Sequence, residues 1–170
     1  LDQVDAVFDQ LLFTDIKRIA TASSDHFIKQ HVAAVIDMYN TKATLRRVRL
    51  GTASMQPAFI TGGTFAESEL SSREAVGAAL ETLSPGFFAH ALETYDQTGN
   101  TSELDARIDD YHISLAKAAS YDMFSSASVV LYYLQVRQAA ANIRTIVVGR
   151  NSSMDETIIR RNLRLAYVNN

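Results

Sequence analysis

Apolar residues recur along this chain at intervals of three and four, and no stretch of useful length alternates with period two, so the pattern predicts helices throughout. Val7, Phe8, Leu11, Leu12, Ile16 and Ile19 mark one face of a first helix, from Asp5 to Ile19. Thr21 to Asp25 then offers several N-caps. Ile28, Val32, Val35, Ile36, Tyr39 and Ala43 stripe a long helix from Asp25 to Leu50, about 39 Å at 1.5 Å per residue. Gly51 suits its left-handed C′ position. Residues 51 to 72 are turn material, with one short helical turn expected at 55 to 60 around Pro57. Ser71-Ser-Arg-Glu74 reads as a capping box before Ala75. Ser84-Pro85 predicts Pro in the first turn of a further helix, ended by Gly99-Asn100. Thr101 or Ser102 opens a helix to about Tyr121, a second long helix covers Ser126 to Val148 and stops at Gly149, and Met154 to Tyr167 is the last.

The chain also repeats itself. Leu1-Asp2 with Phe8 seven positions after Leu1 matches Leu104-Asp105 with Tyr111. Each opening helix is followed by a Ser-rich break, a long helix and a Gly, and Gly51 set on Gly149 gives an offset of 98. Two copies of a small helical domain are the expectation: 1–73 the second half of one copy, 74–170 a complete one. On that division the first helix lacks cover within the chain for Phe8, Leu11, Leu12 and Ile16, so either self-association through the N-terminal region or packing of that helix in a non-native position is expected. The opening Leu1-Asp2-Gln3 reads as if cut from something longer.

At 170 residues the chain is long enough to bury a sizeable core unaided. Sixteen basic and nineteen acidic residues leave a net charge of −3, which gives no global footprint for nucleic acid or anionic lipid. No cysteine is present, so disulfides, thiolate metal sites and cysteine nucleophiles are excluded together. The longest apolar run, Val129 to Leu134, is far too short to span a bilayer.

Chemistry is mostly missing. Thr61-Gly62-Gly63-Thr64 has no Lys-Ser/Thr partner and follows no strand, so it is no phosphate loop. Asp109 and His112, three apart, make half a metal site at most, and an ion pair is the plainer reading. Ser114-Leu-Ala-Lys117 fits a Ser-x-x-Lys pattern without its companion motifs. No catalytic residue, cofactor or metal is expected. Two basic clusters remain as candidate partner-docking residues: Arg46, Arg47 and Arg49, and Arg160, Arg161 and Arg164. Each has two readings, complementation of a helix C-terminus with solvated charge, or a docking surface for an acidic partner. Asp37 and Asn40 flank the stripe of the first long helix, where they cap a neighbouring helix end or face water.

The run VIDMYNTKATLRRVRLG at 35–51, FITGGTF at 59–65 and the stretch from Val129 to Val168 resemble the C-type subunit of bacterial and archaeal V/A-type rotary ATPases, the counterpart of the d-type subunit of eukaryotes. The matching residues are Asp37, Tyr39, Asn40, Leu45, Arg46, Gly62 and Gly63, then Asn142, Ile143, Arg144, Gly149, Arg161, Arg164, Tyr167 and Val168. The resemblance implies an all-α fold of tandem helical repeat domains, of which this chain looks like the C-terminal portion of a pseudo-threefold funnel. It implies a non-catalytic central-stalk rotor part in a complex moving protons or sodium, as synthase or pump. Its partners would be the central shaft subunits and the membrane ring of ion-carrying subunits. Its place would be cytoplasmic and peripheral to the membrane. The alternative is an unrelated helical adaptor or scaffold that binds peptides or proteins.

Overall fold

Short polar punctuation cuts the chain into helices, and in a computed structural model most of the cuts fall where local chemistry puts them. The structure describes residues 2–51, 59–161 and 163, with the backbone alone for 2–6 and 161. Helix α1 (Asp2–Ala22) ends before Ser23, whose Oγ accepts from Asp25 N. Asp25 is the N-cap of α2 (His26–Leu50), its Oδ1 accepting from Phe27 N at 2.9 Å. Helix α2 stops at Gly51, whose φ of 62° is the left-handed turn that glycine adopts without steric cost. A 3-10 turn (Glu67–Leu70) leads into α3 (Arg73–Leu83) and α4 (Ala89–Thr98). Then come α5 (Ser102–Ala119), α6 (Ala127–Asn151) and α7 (Glu156–Arg161). No strand occurs among the described residues, so the fold is all-α.

The chain divides into two compact units, Leu1–Gly99 and Asn100–Asn170. This division falls later than the repeat boundary read at 73/74, because α3 packs on α2 and on the 3-10 turn. In the first unit α1 lies on α2, with Phe13, Ile36 and Ile60 buried together and Val32, Val35 and Tyr39 around them. Arg73 binds both carboxylate oxygens of Asp96, at 2.8 and 2.6 Å, and so joins α3 to α4. In the second unit α5 and α6 form a hairpin over Leu104, Ile108, Ala116, Ala127 and Leu134, and α7 folds back on α6.

Four boundaries depart from the sequence pattern. Ser72, not Ser71, caps α3, its Oγ accepting from Ala75 N at 3.1 Å. Pro85 lies in a turn ahead of α4 rather than in its first turn, and Glu81 Oε2 accepts from Gly86 N there. The last helix is shorter than Met154–Tyr167, with Asp155 capping Thr157 N, and residues 162 and 164–170 lie outside the described residues. The turn expected at 55–60 falls largely outside them too.

The fourth departure is Gly149, which does not end its helix. Helix α6 runs through it to Asn151, and Gly149 is buried against Ile159 of α7, whose Cγ1 a β-carbon would approach to 2.7 Å. The glycine permits the α6–α7 contact instead. Ser153 takes the C′ role, with φ of 53°, while Ser153 N donates to Arg150 O and Met154 N to Gly149 O. Gly51 and Gly149 are therefore not equivalent, and the offset of 98 that pairs them fails. An offset of 101 places His26 on Ala127 and Leu50 on Asn151, and sets buried Asp37 and Thr41 on buried Gln138 and Asn142. Because an L-residue in left-handed geometry is disfavoured, Ser153→Gly should stabilise the second unit by about 0.5–1 kcal/mol. A rise in the urea midpoint of that unit at unchanged slope is the expected readout.

Candidate functional site

Helix α2 carries an unusual inner face. Asp37, Asn40, Thr41 and Thr44 are buried on it beside Ile36, Met38 and Leu45. A buried carboxylate needs donors. Asp37 finds them in the Gly-Gly loop: Thr64 N donates to its two oxygens at 2.8 and 3.0 Å, and Phe65 N donates to Oδ1 at 3.1 Å. Three residues on, Asn40 Nδ2 donates to Ile60 O at 2.8 Å, and Asn40 Oδ1 accepts from Ile60 N at 3.0 Å. Gly63 lies so close that a β-carbon there would run into Asp37 Oδ1, and Gly62 has φ of 104°. Lys17 of α1 donates to Thr61 Oγ1 at 3.0 Å from the other side. Asp37 and Asn40 thus neither cap a helix nor face water. They clamp loop 60–65.

Tyr39, on the same helix, donates its hydroxyl to Asp9 Oδ2 at 2.6 Å and packs on Phe13 at 4.8 Å between ring centroids. Burial first, then the Asp9 hydrogen bond and charge, push its phenol up to about 12, against a smaller pull from Arg46. The folded state thus keeps a proton that an unfolded tyrosine loses near 10. This contribution to stability is full below pH 10 and fades as pH rises through about 12. Phenolate absorbance should show a late-titrating component that Tyr39→Phe removes.

The first arginine cluster is largely spent inside its own unit. Arg49 Nη1 donates to Tyr95 O at 3.1 Å, at the C-terminal end of α4, and the guanidinium lies 5.5 Å from the Tyr95 ring centre. Tyr95 returns its hydroxyl to Leu45 O at 3.0 Å. Arg47 Nη2 reaches Ser71 O at 3.3 Å. Arg46 alone of the three is exposed without a hydrogen bond or ion pair among the described residues. In the second cluster Arg160 pairs with Glu156 at 2.6 Å, an exposed one-turn pair of little energetic weight. The side chain of Arg161, and Arg164 altogether, lie outside the described residues.

The remaining chemical candidates have ordinary structural surroundings. Asp109 takes an ion pair from Arg137 at 2.7 Å, and His112 is buried beside Tyr111. Ser114 donates its hydroxyl to Asp110 O one turn back, an ordinary helical bond. Among the described residues no group of three or more His, Asp or Glu side chains could hold a metal ion. No described helix is long and apolar enough to cross a membrane.

Sequence reasoning missed one surface. Helix α6 is apolar on its outer side as well as its inner one, with Val129, Tyr132, Tyr133, Val136, Ile143 and Val147 exposed. Two apolar faces on one helix blur the period, so the run from 129 to 134 carries no amphipathic signature. The turn before it also exposes Tyr121, Met123 and Phe124, the last at 94%.

The all-helical build, the clamp under a Gly-Gly loop and the two long helices frame the comparison with known proteins. A family model described as ATP synthase (C/AC39) subunit matches residues 1–162. The chain belongs to this family, the one that the DMYN, LRR and GGTF segments resemble. No curated protein and no solved structure matches the chain.

Proposed function

We propose that this chain is a non-catalytic rotor component of a V/A-type ATPase. It seats on the membrane ring of ion-carrying subunits, receives the central shaft of the soluble head, and passes torque between them. The observation that carries the reading is the family membership across residues 1–162. The build is in keeping with it. Close-packed helices resist deformation, and hydrogen bonds fix the loops to them, as Asp37 and Asn40 fix loop 60–65. We read the α1–α2 and α5–α6 hairpins as two copies of one unit at an offset of 101. The repeat boundary stays at 73/74, although α3 and α4 pack with the first copy. The place of action is the cytoplasmic side of the membrane, at its surface, and the ion moved is a proton or sodium.

The test is assembly. A tagged chain co-expressed with the shaft and ring subunits should recover both, and the purified chain should give no calorimetric signal with ATP or divalent cations. Recovery of neither partner, or a micromolar nucleotide site, overturns the reading and favours the adaptor alternative.

A further inference from the structure

Helix α2 carries two buried hydroxyls that behave unlike others in this chain. Thr14, Thr82, Thr98 and Ser114 each donate to the carbonyl oxygen one turn back in their own helices, at 2.7–3.0 Å. Thr41 and Thr44 do not. Thr41 is fully buried, and its Oγ1 has no hydrogen-bond partner among the described residues. Thr44 is 7% exposed, and its hydroxyl likewise makes no hydrogen bond among them. A buried hydroxyl with neither a protein partner nor water is costly.

Space separates the two. Thr44 borders a cleft of about 30 Å³ between α2, Phe59 and the 3-10 turn, and Thr41 does not. Phe59 and Leu70 give the cleft apolar walls, while Asn40, which also borders it, is committed to Ile60. Two charges complete the lining, Arg47 from α2 and Glu67 from the 3-10 turn. Arg47 uses one of its N–H donors, Nη2 on Ser71 O at 3.3 Å, and keeps others free. Glu67 makes no hydrogen bond or ion pair among the described residues. Opposite charges thus border one cleft without pairing across it.

We propose that this cleft is the site of an ordered water, held by the Thr44 hydroxyl, the Arg47 guanidinium and the Glu67 carboxylate, and that the water ties α2 to the 3-10 turn. The room is sufficient, since one water needs about 10–15 Å³. The partners are sufficient too, because buried waters typically make about three hydrogen bonds. Chemistry selects the occupant. An anion would meet the like charge of Glu67 and a cation that of Arg47, whereas a neutral water accepts from Arg47 and donates to Glu67. Its remaining bond goes to Thr44, whose hydroxyl gives or takes a proton equally well. The site lies within the first unit and does not depend on the rotor assignment.

Two substitutions of opposite expected sign test it in the full chain. Valine puts a methyl where threonine has its hydroxyl, at nearly the same size. Thr41→Val removes a hydroxyl that has no partner and should raise the urea midpoint of the first unit. Thr44→Val removes a ligand of the water and should lower it. A midpoint that rises in both variants overturns the proposal, because Thr44 is then an unsatisfied group of the same kind as Thr41. The water itself is read in two ways. A crystal structure should show its density within reach of Thr44, Arg47 and Glu67, kept in Thr44→Ser and gone in Thr44→Val. In solution, magnetisation transfer from water to the Thr44 methyl should have the sign of a bound molecule, and the sign of fast bulk exchange overturns the site. A direct Arg47–Glu67 ion pair closing the cleft overturns it, as does a Thr44 hydroxyl bonded to Asn40 O with no water in reach.

Discussion

Asp37→Ala should cost the first unit about 3 kcal/mol. The carboxylate is fully buried and receives donation from two backbone N–H groups. Alanine removes the acceptor and leaves both donors in an apolar setting, at roughly 1–3 kcal/mol for each unsatisfied group. Water entering the space offsets part of this, which is why the figure stays in the lower part of the resulting range of roughly 2–6 kcal/mol. Asp37→Asn keeps one acceptor oxygen but turns an amine toward the loop, so an intermediate loss is expected. Hydrogen exchange localises the effect. The amides of Thr64 and Phe65 should lose protection first, and helices α5 and α6 should be unaffected. Undiminished protection at both amides would show that the loop holds its shape without the clamp.

That clamp also shows where the sequence is readable and where it is not. Helix α2 could be bounded from residues alone, since Asp25 and Gly51 act on neighbours within a few positions. The existence of α1 was equally plain, but its stripe is not the covered face: Phe13 and Ala20 are buried, while Val7, Phe8, Leu11, Leu12 and Ile19 stay more than half exposed. Asp37 and Asn40 were not, although their spacing places them on one side of α2. Their partners are backbone groups 20–28 residues away, and a backbone N–H leaves no mark in a sequence. The usable signal was the pair Asp37 and Asn40 on an apolar helix side, with Gly62-Gly63 following at a distance. Gly149 misled for a related reason. Glycine favours a helix end locally, but here it makes room for Ile159 of another helix, and the tertiary contact decides. Pro85 likewise satisfies the local rule for a first turn, yet the chain turns through 85–88 before α4 begins. The arginines at 46, 47 and 49 read as one cluster, while the structure gives them three different surroundings.

Those surroundings predict that charge reversal will separate fold from docking. Arg49→Glu loses the bond to Tyr95 O and the contact with its ring, and sets a carboxylate at the negative end of α4. A loss of about 2 kcal/mol is expected, the sum of a hydrogen bond, a cation–ring contact and a reversed dipole interaction. Arg47→Glu breaks a longer and more exposed bond to Ser71 O, so about 1 kcal/mol is expected. Arg46→Glu and Arg160→Glu act on exposed side chains and should shift stability by about 0.5 kcal/mol or less. If the clusters dock an acidic face of the shaft or ring, Arg46→Glu and Arg160→Glu should reduce recovery of that partner at an unchanged unfolding midpoint. Arg161→Glu and Arg164→Glu belong in the same set on sequence grounds. Assembly lost by Arg49→Glu and Arg47→Glu alone, in proportion to their loss of stability, would make the first cluster a brace within its own unit. In that case the docking charge lies elsewhere on the chain.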